Sequence, residues 1–320
     1  MRVASLLPSV TEILFAIGAG DRVVGVTHEC DYPPEARRLP VLTSSLLPPE
    51  LQTHLGAAQT GAAVAERAAT IDRHVRADVH AGSSLYALDG ELLARLAPDA
   101  IVTQELCAVC AVSYEIVARA AKRLRGDPRV VSLEPSSLED VYANILTVGD
   151  VAGAPDGAQS LVDRLRAREA VLRARPPVVP RPRTLVLEWP DPLMSAGHWT
   201  PGLVDLAGGE CVLGRAGGNS QRIEWAAVGA ADPDIVIVAP CGYDLAHARV
   251  AAAELARNGA WRRLRAVRAG RAFAMDGNAY VNRPGPRLLD TAEIFAAALA
   301  GAPVPADAIE RLTPCESAFA

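Results

Sequence analysis

Four cysteines fall at positions where a metal site could form. Cys30, Cys107 and Cys241 each follow a predicted strand by a few residues, and Cys110 completes a CxxC pair with Cys107. Thiolates bind zinc, iron–sulfur clusters and other soft metals. A single CxxC pair is a weak signal, because cysteine also packs as a small apolar residue. We predict Cys30, Cys107, Cys110 and Cys241 as candidate ligands of zinc or an iron–sulfur centre, with ordinary packing as the alternative.

Aromatic side chains in predicted loops form a second candidate group. Aromatic residues make up only 4% of the chain, yet Trp189 and Trp199 bracket one loop, which also carries His198. Tyr243 and Tyr280 follow other predicted strands. Flat apolar side chains in such loops suit a large, partly apolar ligand. Packing between lobes is the alternative for each of them.

The chain lacks the short motifs of several common sites. It contains no GxxxxGK[ST] loop, no strand-associated GxGxxG, no GxSxG and no HExxH, which argues against nucleotide binding and the corresponding hydrolases. No carboxylate pair or nucleophile–base set stands out, so we assign no catalytic residue. The net charge is −5, with 32 basic and 37 acidic residues intermixed. The lack of a basic patch argues against a nucleic-acid partner.

Alternating strands and helices must position these side chains. The first β-α-β unit is predicted as a strand at 2–7, a helix at 11–17 and a strand at 22–27. The other predicted elements are helices at 60–80, 88–96, 113–125, 137–151 and 201–207 and strands at 100–103, 129–133, 184–187, 210–213, within 232–237 and at 272–275. A closing helix follows the last strand. This alternation indicates an α/β fold with mainly parallel sheets.

A long helix at 155–175 is predicted as the element that joins two lobes. Leu161, Leu165 and Leu172, with Val162 and Val171 beside them, form an apolar stripe. The helix ends at Pro176-Pro177 and spans roughly 30 Å. An ordinary crossover helix within one domain is the alternative.

The two halves of the chain share one order of features. HWTPGLVDLAGGECVLG and PSVTEILFAIGAGDRVVGV each run from a polar cap through a short helix and a glycine pair to a strand. We therefore predict two Rossmann-like lobes, 1–154 and 178–320, joined by a linking helix at 155–177. Ligands of parallel sheets bind beyond the carboxyl ends of the strands, so a cleft between the lobes is expected.

The N-terminal twenty residues superficially resemble a secretion signal. Glu12 interrupts their apolar run, however, and only Arg2 supplies positive charge. The stretch fits the first β-α-β unit better, and no apolar segment reaches transmembrane length. We predict a cytoplasmic protein whose six cysteines are reduced thiols or metal ligands.

Several segments resemble those of vitamin B12 and iron–siderophore substrate-binding proteins. They are RVASLLPSVTEILFAIGAGDRVVGVT, CDYPPEARRLPVL, LARLAPDAIV, LVDLAGGECVLG and NRPGPRLLDTAEIF. The resemblance covers nearly the whole chain except residues 45–80, and DYPP and EWPDPLMSAGHW are most similar to the cobalamin-binding branch. It implies two α/β lobes joined by one long helix, with the ligand in a rather rigid cleft.

The resemblance also implies roles for individual residues. The expected ligand-binding residues, with Tyr243 added from the aromatic group, are His28, Glu29, Cys30, Tyr32, Gln104, Glu105, Trp189, His198, Trp199, Tyr243, Tyr280, Asn282 and Arg283. Glu115 and Asp205 fall where importer members carry an acidic residue that docks onto a permease. Solvated helix surfaces also carry such residues.

Three functional hypotheses follow. The first is a binding protein, without catalysis, for cobalamin or a related corrinoid, with a cytosolic corrinoid enzyme as a possible acceptor. The second is a metalloprotein or enzyme with a cysteine-ligated zinc or iron–sulfur centre. The third is the substrate-binding protein of an ABC importer for a metal chelate, with a permease as partner.

Overall fold

The computed structural model describes residues 1–47, 69–71, 73, 86–104, 114–122, 124, 126–176 and 178–313. By contact, these residues divide into two compact units. Unit 1 ends at Ala167 and unit 2 begins at Arg168, except that residues 69–71 and Ser136–Leu138 group with unit 2. The division falls inside the helix predicted to join the lobes, and the limits 1–154, 155–177 and 178–320 stay a prediction.

Unit 1 is built around a parallel sheet. In chain order its described elements are β1 (Val3–Ser5), α1 (Pro8–Ala16), β2 (Val23–Gly25), β3 (Thr43–Ser45), β4 (Tyr86–Leu88), α2 (Gly90–Leu96), β5 (Ala100–Thr103), α3 (Tyr114–Ala121), β6 (Arg129–Ser132), α4 (Leu138–Ala152) and α5 (Pro155–Arg173). The residues of α5 from Arg168 onward group with unit 2. The sheet order is β2-β1-β5-β6, and all its pairings are parallel. The loops after β2 and β5 therefore leave the same edge of the sheet.

Apolar side chains on the strands and helices of unit 1 explain its packing. Leu6, Leu93, Ile101 and Val117 are fully buried in one cluster. Helix α1 begins at Pro8, which suits the first helical position because proline lacks an N–H. The helix is three residues longer at its start than predicted, since proline opens it rather than preceding it. Strand β1 is shorter than predicted.

Helix α5 confirms the predicted helix but ends at Arg173, two residues early. Leu161, Leu165 and Leu172 are buried as expected. Val171 was wrongly assigned to the apolar stripe, because its side chain is exposed. Near its start α5 packs tightly, since a Cβ on Gly157 would lie 2.2 Å from the Ile17 carbonyl oxygen.

Unit 2 contains a larger, mixed sheet. Its elements are β7 (Arg183–Pro190), β8 (Leu193–Ser195), α6 (Thr200–Leu206), β9 (Glu210–Cys211), β10 (Gln221–Arg222), α7 (Trp225–Ala231), β11 (Ile235–Val238), α8 (Leu245–Leu255), α9 (Gly259–Arg263), α10 (Arg265–Arg268), β12 (Ala272–Met275), a π-helical turn (Gly277–Val281), α11 (Leu288–Ala300) and β13 (Ile309–Arg311). The order is β10-β8-β7-β11-β12-β13, and β9 also pairs with β7.

The strands that carry the core of unit 2 are parallel. β7, β11 and β12 pair in parallel, as does β9 with β7, whereas β8, β10 and β13 are antiparallel. The sequence analysis missed these three antiparallel strands because two- and three-residue strands leave no readable alternation. The α/β class with mainly parallel sheets is confirmed.

In the described part of the chain, no helix combines the length and the apolar character needed to cross a membrane.

Candidate functional site

The loop after β2 places three candidate residues at the carboxyl edge of the unit 1 sheet. His28 Nδ1 lies 2.8 Å from Thr43 Oγ1. The His28 ring also contacts the Tyr86 ring, with centroids 5.4 Å apart, and the Tyr86 hydroxyl donates to Glu29 Oε1 at 3.2 Å. Tyr86, which the sequence analysis missed, therefore connects two predicted residues. Tyr32 lies further along the loop and is 46% exposed.

Cys30 lies beneath this edge. Its side chain is only 5% exposed, and its Sγ lies 3.1 Å from Thr11 Oγ1 and 3.2 Å from Thr27 Oγ1. Thr11 in turn lies 2.8 Å from Ser5 Oγ. Contacts with hydroxyl groups in a buried position favour the packing interpretation of this cysteine.

The carboxyl end of β5 contributes Gln104, which is buried. Glu105, Cys107 and Cys110 lie outside the described residues, as does the side chain of Glu115. Their predicted roles stay predictions.

At the carboxyl edge of the unit 2 sheet, an aromatic cluster forms between β7 and the loop after β11. The Trp189 and Tyr243 rings meet nearly edge to face, with centroids 5.5 Å apart. Tyr243 also contacts the His247 ring at 6.1 Å and packs with Ala251 of α8. The half-buried Trp189 ring keeps part of its surface accessible at this edge.

The loop after β12 lies directly against the loop after β11. The Asn278 amide donates to the Tyr243 carbonyl at 3.0 Å, and Asn282 Nδ2 donates to the Ala239 carbonyl at 3.0 Å. This approach requires glycine at 277, because a Cβ there would lie 2.2 Å from the Pro240 carbonyl oxygen.

Charged side chains that flank the π-helical turn lie at the same edge. Arg283, only 4% exposed, donates to Asn278 Oδ1 at 3.1 Å. The Arg287 guanidinium lies 5.5 Å from the centre of the Tyr280 ring, and burial is the main cause that raises the pKa of Tyr280. Asp276 caps the turn by accepting from the Ala279 amide at 2.7 Å, and burial also raises its pKa.

The loop after β8 brings His198 and Trp199 to this edge. Trp199 is buried and donates from Nε1 to the Val281 carbonyl at 2.8 Å. His198 stacks on Trp199, with centroids 5.6 Å apart, and has a left-handed backbone with φ of 51°. Burial lowers the pKa of His198. The structure thus gathers every unit 2 residue predicted to contact ligand along one edge.

The remaining cysteines of unit 2 differ in environment. Cys241 is exposed in the loop after β11, and Cys211 is half-buried on β9. Neither forms a disulfide, and the described residues contain no group of three or more His, Cys, Asp or Glu side chains placed to hold a metal. With Cys107 and Cys110 outside the described residues, the predicted cysteine metal site stays a prediction.

Asp205, the predicted docking residue of unit 2, is exposed on α6. Its carboxylate forms an ion pair with Arg181 at 2.5 Å. Exposed ion pairs contribute little stability, and the Asp205 side chain remains 62% exposed beside Arg181.

Sequence reasoning missed Glu188, Asn278 and Asp276 at the unit 2 edge. Asp276 carries a readable signal, since Asp-Gly-Asn directly after a strand is typical of a capped turn. The side chain of Asn278 has no such signal, because its position depends on the approach of the loop after β11.

The fold is α/β with the candidate residues at strand ends, and comparison with known proteins identifies the family. A family model described as "Periplasmic binding protein" matches residues 3–279. The chain belongs to this periplasmic binding protein family.

Two curated relatives match over a short segment. The vitamin B12-binding protein of Photorhabdus laumondii is 49% identical over 39 residues, which is 12% of this chain and 14% of the relative. An uncharacterized ABC transporter substrate-binding lipoprotein of Bacillus subtilis is 50% identical over 38 residues, 12% of each protein. The matches thus span only about an eighth of the curated relatives' length.

Solved structures match over nearly the whole chain. The apo periplasmic heme-binding protein of Roseiflexus sp. RS-1 has a TM-score of 0.65 and 22% identity, covering 94% of this chain and 98% of that one. The periplasmic vitamin B12-binding protein of Vibrio cholerae has a TM-score of 0.61 and 20% identity, covering 93% and 96%. At such identities these likenesses show the fold.

Proposed function

We propose that this protein binds cobalamin or a related corrinoid and does not catalyse a reaction. The observation that carries the proposal is the unit 2 edge, where Trp189, His198 and Tyr280 are half-buried beside Asn282 and Arg283. A corrin offers a broad apolar face and a rim of amide groups. Aromatic rings suit the face, and the half-buried Arg287 guanidinium beside Tyr280 suits the rim.

The short, close match to a vitamin B12-binding protein supports the corrinoid over other ligands. Heme is the competing ligand, because the Arg287 guanidinium also offers donors to carboxylates. The unit 1 residues His28, Glu29 and Tyr32 are proposed as further contacts.

Titration of the purified protein with hydroxocobalamin and, separately, with hemin tests the proposal. We expect a stoichiometric shift of the visible absorption bands of the corrinoid and micromolar or tighter affinity by calorimetry. Tighter binding of hemin than of hydroxocobalamin would identify heme, and not a corrinoid, as the ligand. The absence of both spectral shift and heat would refute the proposed function.

A matched pair of variants tests where the ligand binds. Trp189→Ala removes an aromatic ring from the unit 2 edge, and we expect about a tenfold loss of affinity, equivalent to ~1.4 kcal/mol. Trp225→Ala removes an equally half-buried tryptophan that packs with Trp261 in the core. It should lower stability and leave the affinity of folded protein unchanged. Equal affinity losses in both variants would contradict the assigned site.

Delivery to an ABC permease is proposed as the next step, with Asp205 as a docking residue. Asp205→Asn should lower corrinoid uptake in cells that carry the permease without changing the dissociation constant of the purified protein. Unchanged uptake would remove Asp205 from this role. This step needs the protein on the outer side of the cytoplasmic membrane, so it competes with the predicted cytoplasmic location. Cell fractionation decides between the two.

A further inference from the structure

We propose that Glu188 is a positioning residue that holds the ligand-facing loops of unit 2 in their binding arrangement. The inference rests on the proposed function, because it assigns those loops to ligand binding. Glu188 occupies β7 directly before Trp189, and it contacts three separate loops through its backbone and its carboxylate.

Glu188 sits at an irregularity in the β7–β8 pairing. Leu187 pairs with Ser195 and Trp189 pairs with Met194, so the register shifts across Glu188. Such bulges interrupt the alternation of a strand and redirect side chains, often beside functional sites. The Glu188 carbonyl accepts from the Cys241 amide at 3.1 Å. That bond fixes the start of the loop that carries Tyr243.

The Glu188 carboxylate joins two further loops. Its Oε2 accepts from Ser220 Oγ at 2.5 Å, and the carboxylate also accepts from the Gly197 amide. Gly197 immediately precedes His198. Burial is the largest influence on Glu188 and raises its pKa, whereas both hydrogen bonds act in the opposite direction. The hydrogen bonds from Ser220 and Gly197 therefore offset part of the desolvation cost of an ionised Glu188 carboxylate.

The two loops joined by the carboxylate also contact each other closely. The His198 amide donates to the Gly218 carbonyl at 2.6 Å, and the Gly217 amide donates to the His198 carbonyl at 2.9 Å. A Cβ on Gly197 would lie 2.5 Å from the Ser220 nitrogen. The left-handed backbone of His198 is uncommon for a residue with a side chain. Tertiary contacts must stabilise this backbone conformation. The Glu188 carboxylate provides two of them, because it accepts from Gly197 in one loop and from Ser220 in the other.

Glu188→Gln tests this role because it keeps the shape of the side chain. The Gly197 amide can only donate, so the remaining acceptor oxygen faces it and the new amide nitrogen faces Ser220 Oγ. The charge-assisted bond from Ser220 is lost there, and only a neutral, reversed bond can replace it. We expect at least a tenfold loss of corrinoid affinity in folded protein. Ser220→Ala should also lower corrinoid affinity. The double variant should bind no more weakly than Glu188→Gln alone, because both changes remove the same hydrogen bond between Ser220 and the Glu188 carboxylate. Ser220→Thr, which keeps the hydroxyl, should restore affinity.

Glu224→Gln is the matched control, because Glu224 is an exposed glutamate of the same unit that caps α7 without a side-chain hydrogen bond. It should bind as the unchanged protein does. Full affinity in Glu188→Gln, or additive losses in the double variant, would overturn the inference. If Glu188→Gln does not fold, the Ser220→Ala and Ser220→Thr pair decides: loss and restoration support the inference, and equal affinities overturn it.

Amide hydrogen exchange separates this inference from the proposed function. In ligand-free protein, Glu188→Gln should speed exchange of peptides that contain Gly197 to Trp199, and Glu224→Gln should not. Faster exchange in a protein that binds no corrinoid would refute the proposed ligand and retain the positioning role. Unchanged exchange would overturn the positioning role whatever the ligand.

Discussion

Burial gives the Cys211 thiol a different reactivity from an ordinary cysteine. It raises the pKa of Cys211 to about 11, and the thiolate is the reactive form. At pH 8 we expect alkylation of Cys211 by iodoacetamide to be roughly a hundredfold slower than that of an ordinary exposed thiol. Peptide mass spectrometry should find the exposed Cys241 labelled first, and Cys241→Ser gives the matching control. Equally fast labelling of both would contradict the assigned burial.

The lowered pKa of His198 predicts a pH dependence of stability. Because its pKa in the folded protein lies below the ordinary 6.5, the unfolded chain binds more protons as the pH falls through that value. The free energy of unfolding should therefore decrease between pH 7.5 and pH 5. His198→Asn, chosen because asparagine tolerates the left-handed backbone, should show a smaller decrease in urea unfolding. An identical decrease would show that His198 does not contribute.

At the residue scale, sequence reasoning predicted which unit 2 side chains lie at one edge and missed the residues that hold them there. The rule that ligands lie beyond strand ends places Trp189, Tyr243 and Tyr280 at one edge. It gives no sign of Glu188, because the register shift in β7 depends on pairing with β8. The burial of Cys30 also escapes the rule, since strand ends can turn a side chain inward as easily as outward.

At the scale of elements, the close approach of two loops depends on one glycine. A Cβ on Gly277 would meet the Pro240 and Ala239 carbonyl oxygens at 2.2 and 2.7 Å. Gly277→Ala should therefore lower the free energy of unfolding by about 1–3 kcal/mol and weaken corrinoid binding. Urea unfolding measures the first effect and absorption titration the second.

Gly229→Ala provides the control, because Gly229 lies in helix α7 and, apart from its chain neighbours and its own helix backbone, no atom lies within 4 Å of where an alanine Cβ would stand. This change should raise stability by ~0.5–1 kcal/mol, as alanine favours a helix over glycine. If Gly277→Ala were as stable as Gly229→Ala, the two loops would not approach as closely as described.

Elements with a readable apolar pattern were predictable, and the two- and three-residue antiparallel strands were not. The periodic apolar residues of 155–175 predict helix α5 to within two residues of its end, and β12 matches its predicted range. Strands β8 and β10 contain only three and two residues, so their existence follows from pairing with β7 and not from local sequence. The mixed character of the unit 2 sheet could not be foreseen for this reason.

At the scale of the whole molecule, the order of strands and helices was enough to predict the α/β class, and the family membership is confirmed by the match over residues 3–279. The ligand is a finer property. It depends on a few side chains at strand ends, and relatives of one fold are described as binding either vitamin B12 or heme. Fold alone therefore does not identify the ligand.

Hydrogen exchange of the corrinoid-saturated protein against the ligand-free protein tests the account most directly. We predict slower exchange in peptides covering residues 195–199 and 276–283 at the unit 2 edge, with helices α9 and α10 unchanged. Protection confined to other segments, or no protection at saturating corrinoid, would contradict the proposal that this edge binds the ligand.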